Sequence, residues 1–277
     1  MSKTFLEVDD RHLRVDPYPL IKWLGSKSNY LDFLGKYLKK TDAYYEPFLG
    51  GASVFCYMFR EGYISPETEV ILSDINTRLI NFYLQIKNNT EEFIELMNTF
   101  KEKNTRDWYY VYQKKVGDDE LEDACIFLYL NKCSFRGLYQ VNLKGEFNAA
   151  YGYRKKVNFV DEKKINNMSE ALQNVSIINC DYKETLAKVR ENSTLYLDPP
   201  YHNMYADYDK ARFVEEDHLV LHGLTENLRR RNVYILQSNN YTPLIKELYG
   251  DWRIETIQSN LRFKHDKKSV ECLILSE

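Results

Sequence analysis

Leu195-Tyr196-Leu197-Asp198-Pro199-Pro200-Tyr201 is the stretch whose reading decides the fold. Three apolar residues that read as a buried strand run directly into a carboxylate, two prolines and an aromatic ring. In an open α/β sheet the ligand crevice lies outside the carboxyl ends of the parallel strands, so Asp198 stands where such a crevice opens. Taken alone, the same four residues also describe a rigid turn after a strand.

The chemistry that suits this turn is methylation of an amino group conjugated to a ring. Such a nitrogen is a poor nucleophile because its lone pair is delocalised. It improves when acceptors hold its N–H hydrogens and draw it towards tetrahedral geometry. Asp198 supplies one acceptor and the carbonyl of Pro199 the other, which the fixed φ of proline keeps in place. Tyr201 offers a flat face for a base lifted out of its stack. No metal is required, because positioning and electrostatics carry the reaction.

The rest of the chain is read outward from this turn. Ala43-Tyr44-Tyr45-Glu46-Pro47-Phe48-Leu49-Gly50-Gly51-Ala52-Ser53 resembles a first strand, a glycine turn and a helix start. There the backbone can approach a ligand closely and helix N–H groups are free. Glu69 to Ser73 predicts a second strand ending in Asp74, at the distance from the glycine turn where nucleotide-binding units hold a ribose hydroxyl. Neither G-x-G-x-x-G nor a P-loop lysine is present, which favours a cofactor without phosphate, such as S-adenosyl-L-methionine. Trp23 and Lys27 bracket a small-residue turn ahead of a helical pattern at Leu31, Leu34, Tyr37 and Leu38. Val175 to Ile178 predicts a third strand with Asp181 and Tyr182 at its tip, where they either hold and stack a cofactor ring or simply cap the next helix.

From Asn76 to about Leu130 the pattern is helical, and from Asn131 to Lys164 it changes. This second stretch has hairpin signals around Asn142-Leu143-Lys144-Gly145 and carries eight Lys/Arg against three acids. Aromatic residues are interleaved with these charges, which suits a DNA backbone with inserted side chains, although a solvated basic face reads the same way. Farther on, Phe213 to Arg231 predicts a helix, Val233 to Leu236 a strand, Leu244 to Tyr249 a short helix, and Trp252 to Ile257 and Cys272 to Leu275 two further strands. Tyr205 and Tyr208 follow the catalytic turn and are expected to fold over a bound base. Arg262 to Lys268 is either a second phosphate contact or a hairpin tip.

Composition narrows the class. The 277 residues are 44% hydrophobic, with no apolar run long enough to span a bilayer. No apolar segment follows a basic start, so a cytoplasmic protein is expected, with residues 1–14 a loose lead-in. The five cysteines are scattered without a C-x-x-C pair and read as reduced thiols. A net charge of -3 rules out a uniformly basic coat, so phosphate binding must come from a local patch. His218 and His222 stand four apart, but with no glutamate between them and no evident third ligand a metal site is not expected.

Taken together, Lys22-Trp23 with Lys27, Glu46 to Gly51, Ser73 to Asn76, Leu130 to Lys132, Gly137 to Tyr139, Lys144 to Asn148 and Asp198 to Tyr201 resemble the Dam-type DNA adenine N6-methyltransferases, in the family's order. The resemblance implies an α/β fold with a seven-stranded mixed sheet of the S-adenosylmethionine-dependent, Rossmann-like type. It also implies a mostly helical target-recognition domain with a β-hairpin, inserted at 85–174 between catalytic segments 15–84 and 175–277. By the same resemblance Trp23, Lys27 and Asp74 contact the cofactor and Asp198 lies between it and the target amino group, with Phe48, Gly50, Asp181 and Tyr182 completing the pocket. Phe135, Arg136, Leu138, Gln140 and Lys144 face double-stranded DNA, and one or two protein copies on that DNA are equally compatible.

Two departures from the family pattern stand out. Gly-Gly-Ala occupies the turn where many relatives have a further glycine. Gln140 and Ala150 stand where members that methylate GATC tend to carry arginine and proline. Arginine reads guanine through two hydrogen bonds whereas glutamine matches adenine, so the expected target is not strictly GATC. Other acceptors compatible with the turn are RNA adenine and cytosine N4, and a catalytically inert DNA-binding relative is the reading from another class.

Overall fold

The computed structural model describes residues 15–142, 144–203, 213–258 and 270–277. The lead-in, Leu143, the expected Tyr205 and Tyr208 contacts and the Arg262 to Lys268 stretch lie outside the described residues.

The chain begins with α1 (Leu31–Leu34), β1 (Ala43–Glu46), α2 (Ser53–Arg60), β2 (Glu69–Asp74) and α3 (Thr77–Asn88). It continues through α4 (Thr90–Asn98), α5 (Arg106–Gln113), α6 (Glu120–Cys133) and α7 (Glu162–Leu172) to β3 (Val175–Asn179). It ends with α8 (Tyr182–Leu186), β4 (Thr194–Leu197), α9 (Glu215–Arg230), β5 (Tyr234–Asn240), α10 (Pro243–Leu248), β6 (Arg253–Gln258) and β7 (Val270–Leu275).

These strands form one seven-stranded sheet in the order β3-β2-β1-β4-β5-β7-β6. β1 to β5 run parallel, and β7 lies antiparallel between β5 and β6. The chain leaves β1 towards β2 and β3, then returns to place β4 on the other flank of β1. The crevice between the β1 and β4 tips is therefore the topological switch point, where ligands bind in such sheets.

Both faces of the sheet are covered, which is why its central strands are apolar runs rather than alternating ones. Tyr44 of β1 and Tyr196 of β4 join one buried cluster, while Tyr45, Leu195 and Leu197 join the other. A one-residue slip would exchange the two sets, so packing on both faces pins the register. Each fully buried large side chain contributes about 1.5–3 kcal/mol over exposure.

Between α3 and β3, helix α6 is buried on nearly every side, from Asp123 to Asn131 and at Cys133, and it packs on α3, α4 and α5. Arg78 of α3 grips Asp123 of α6 through two bonds of 2.9 and 2.8 Å. Two expectations are modified here. The helix expected over Leu31 to Leu38 is a single turn ending at Gly35. The hairpin near Asn142 consists of the isolated bridges Val141 to Phe147 and Ser134 to Tyr151, with no strand among the described residues. Asn142 Oδ1 instead accepts from the backbone N–H of Lys144 and Glu146, a side-chain turn that competes with a ladder.

Candidate active site

The glycine turn after β1 is built for close approach. Gly50 has φ +47°, and a Cβ there would stand 2.8 Å from Trp23 Cδ1. The indole of Trp23 thus lies directly against the turn, and it stacks on Tyr139 at 5.0 Å. Gly50 N–H donates to Asp74 Oδ2 at 3.0 Å, while Asn76 N–H donates to Asp74 Oδ1 at 3.0 Å. Asp74 therefore joins the tip of β2 to the glycine turn and to the start of α3. Asn76 caps that helix by accepting from Leu79 N–H.

At the β4 tip, Lys27 Nζ donates to Asp198 Oδ2 at 2.6 Å and also to the carbonyl of Gly25. The lysine side chain is 4% exposed and the aspartate 19%. The same ammonium lies 4.9 Å from the centroid of the Tyr201 ring. Burial raises the Asp198 carboxyl above its ordinary range, and the Lys27 ammonium opposes that rise. Pro199 is buried and Tyr201 half-buried.

A second carboxyl lies close by. Glu46, at the end of β1, is 2% exposed and accepts from Tyr44 Oη at 2.6 Å. Burial pushes it up to about 8, against the Tyr44 bond and with the Asp198 charge adding to the rise. At neutral pH Glu46 is therefore mostly neutral, and Asp198 is left as the partner of Lys27.

Phe48 stacks on Tyr182 at 5.2 Å, with Phe213 edge-on at 6.1 Å. The Tyr182 hydroxyl is buried without a hydrogen-bond partner among the described residues. Asp181 Oδ1 accepts from Lys183 N–H at 2.9 Å and caps α8.

The expected DNA-facing residues share one exposed segment. Phe135 is 50% exposed, and Arg136, at φ +59°, places its guanidinium 5.2 Å from the Phe135 ring. Gln140 and Lys144 are exposed and Leu138 is half-buried. Buried Asn131 ties this segment to the chain just before Trp23: its Nδ2 donates to the carbonyls of Lys22 and Gly137, and its Oδ1 accepts from Lys22 N–H. Around the Asp198 turn, Asn239, Asn240 and Glu271 were not singled out from the sequence, and Glu46 only as part of a family motif. The signal available for Glu46 and Glu271 was an acidic side chain beside an apolar strand run, whereas Asn239 and Asn240 follow Gln237 and Ser238 and carry no such contrast.

The family profile of the D12 class N6 adenine-specific DNA methyltransferase matches residues 23–262. The chain belongs to this family. The methyltransferase is 31% identical over 261 residues to the type II methyltransferase M1.LlaDCHI of Lactococcus lactis subsp. cremoris, covering 89% of each chain. It is 31% identical over 276 residues to the type II methyltransferase M.MjaIII of Methanocaldococcus jannaschii, covering 90% of this chain and 94% of that one. Its identity to the DNA adenine methylase of Escherichia coli K12 is 31% over 247 residues, covering 86% of each. Among the described residues of the methyltransferase, no group of His, Cys, Asp or Glu is arranged to hold a metal ion, and no helix is long and apolar enough to cross a membrane.

Proposed function

We propose that this adenine-specific DNA methyltransferase uses S-adenosyl-L-methionine and holds the target base at the β4 tip. The single observation that carries this reading is the Lys27 to Asp198 contact beside the Tyr201 ring: Asp198 already accepts a hydrogen bond from a nitrogen. A target N6 amino group taking that oxygen would displace or share it with the lysine.

The residues present fit the cofactor. Phe48 and Tyr182 form an apolar aromatic surface for a purine ring, and Asp74 at the β2 tip is positioned for ribose hydroxyls. The glycine turn brings backbone within reach, and Trp23, Lys27 and Asp198 border the same crevice. Bound there, S-adenosyl-L-methionine would supply an electrophilic methyl group. Asp198 and the Pro199 carbonyl would hold the two amino hydrogens, concentrating the lone pair on nitrogen, while Tyr201 would stack on the base. After transfer the extra proton would leave to solvent.

Residues 85–174 serve in this reading as the target-recognition unit, with Phe135, Arg136, Leu138, Gln140 and Lys144 meeting the duplex. Gln140 in place of arginine supports a target that is not strictly GATC. The test of the site is Asp198→Ala in a tritiated methyl transfer assay on plasmid DNA. Turnover is expected to vanish while much of the DNA affinity remains. Full transfer by that variant would overturn the assignment.

A further inference from the structure

β7 is apolar from Cys272 to Leu275 but its second residue is Glu271, which is 8% exposed. A buried carboxylate costs several kcal/mol unless it is paired or hydrogen-bonded, so its presence at the end of an apolar strand calls for a partner. Because β7 is antiparallel, its first residues lie at the same edge of the sheet as the last residues of β4 and β5. There Glu271 Oε2 accepts from the Tyr201 hydroxyl at 3.4 Å.

The neighbouring strand anchors the next residue. Asn239 Oδ1 accepts from His202 N–H at 3.0 Å, and Asn240 Nδ2 donates to the His202 carbonyl at 3.0 Å. Asn240 and Glu271 are direct partners across the β5 and β7 pair. The backbone leaving Tyr201 is thus clamped on both its donor and its acceptor, and the remaining freedom of the tyrosine is the direction of its ring. The Lys27 ammonium acts on the face of that ring and Glu271 on its hydroxyl, with Asp198 and Ser238 also interacting with that hydroxyl. Lys27 and Asp198 are the groups re-engaged when a base takes Asp198, whereas the Glu271 contact lies outside that exchange.

We propose that Glu271 is a positioning residue for the methyl transfer: by holding the Tyr201 hydroxyl it fixes the plane on which the target adenine stacks. The inference rests on the reading of Asp198 and Tyr201 given above. A platform fixed in advance acts on the bound complex, so its loss lowers the rate at saturating DNA and leaves KM for DNA nearly unchanged.

The experiment is single-turnover transfer from tritiated S-adenosyl-L-methionine to plasmid DNA from a strain lacking adenine methylation. Wild type is compared with Glu271→Ala, Glu271→Gln, Tyr201→Phe and the Ala/Phe double variant. Glu271→Ala and Tyr201→Phe should each slow transfer about tenfold, the low end for a hydrogen bond to a charged group. The double variant should be no slower than either, and Glu271→Gln, which keeps an acceptor, should recover most of the rate. Cofactor affinity measured by calorimetry should be unchanged in all of them. Multiplying effects in the double variant, or Glu271→Ala at the wild-type rate, would overturn the proposal. Tyr201→Phe keeps the ring, so it tests the contact even if Glu271→Ala fails to fold, and a wild-type rate for it also overturns the proposal. Asp198→Ala run alongside separates the two levels: if it stays active the site reading fails, and if it is silent while the other effects multiply, only the role of Glu271 fails.

Discussion

Replacing Lys27 with methionine keeps the bulk of the side chain and removes the ammonium that faces Asp198 at 2.6 Å. Removing one partner of a buried ion pair costs about 3–5 kcal/mol, because the other charge is stranded. Asp198 is 19% exposed, so water compensates in part and the lower end applies. At about 2–4 °C per kcal/mol, a loss of about 3 kcal/mol lowers the melting temperature by about 6–12 °C.

The loss depends on pH, and its sign follows from the raised Asp198 carboxyl, whose rise Lys27 normally opposes. In the unfolded chain an aspartate loses its proton near about 3.9, whereas in the folded variant Asp198 keeps it to higher pH. Between those two values folding takes up a proton, so stability falls as pH rises, by about 1.4 kcal/mol per pH unit at the steepest. Above the folded value the penalty is complete, and below the unfolded value it is absent. Glu46 does not blur this at neutral pH, since losing Lys27 only holds its proton more firmly. Thermal unfolding across acidic to neutral buffers should show the gap between Lys27→Met and wild type widest near neutrality and closing in acid. Adding Asp198→Asn should restore most of the loss. A gap that does not vary with pH, or a double variant no more stable than the single one, would refute the reasoning.

Two further outcomes are expected. Gly50→Ala places a Cβ 2.8 Å from Trp23 Cδ1 at φ +47°, and since a left-handed alanine costs about 1–2 kcal/mol, cofactor affinity by calorimetry should fall about tenfold; adding Trp23→Ala should relieve the steric part, and unchanged affinity of the single variant would argue against the turn as a cofactor cradle. Gln140→Arg should shift methylation towards guanine at the position it meets, by about 1–3 kcal/mol or roughly 10- to 150-fold; sequencing of methylated plasmid DNA reads this directly, and an unchanged site distribution would remove Gln140 from base recognition.

The parallel strands were legible because burial on both faces leaves a short apolar run with a polar residue where the crevice opens. Ala43 to Tyr45 before Glu46, and Leu195 to Leu197 before Asp198, both have this form. The direction of β7 was not legible. A run such as Cys272 to Leu275 specifies a buried strand, but only its pairing with Leu236 to Asn240 specifies that it runs backwards. Asp181 shows a different limit: a helix cap and a ligand contact need the same residue type, and here the carboxylate caps α8.

The hairpin is short for a local reason: Asn142 N–H donates to the Glu146 carbonyl and Asn148 N–H to the Gln140 carbonyl, but the Asn142 side chain takes the Glu146 N–H that a longer ladder would use. The contact of Trp23 with Tyr139 joins residues far apart in the chain, and no periodicity records such a meeting.

The same distinction divides the candidate site. Asp198, Pro199 and Tyr201 lie within four consecutive residues, so their joint chemistry can be read along the chain. The groups that tune them come from elsewhere: Lys27 from before the first strand, Glu46 from the end of β1, Asn239 and Asn240 from the end of β5 and Glu271 from the start of β7. Each looks in isolation like a polar residue at an element end, which is where any polar residue is cheapest to place. What gives them meaning is the order β1-β4-β5-β7 across the sheet, which brings four separate ends to one edge. A substitution at any of these ends should therefore alter the Asp198 to Tyr201 turn without changing its own residues, which makes their coupling to Asp198 and Tyr201 the sharpest probe of the site.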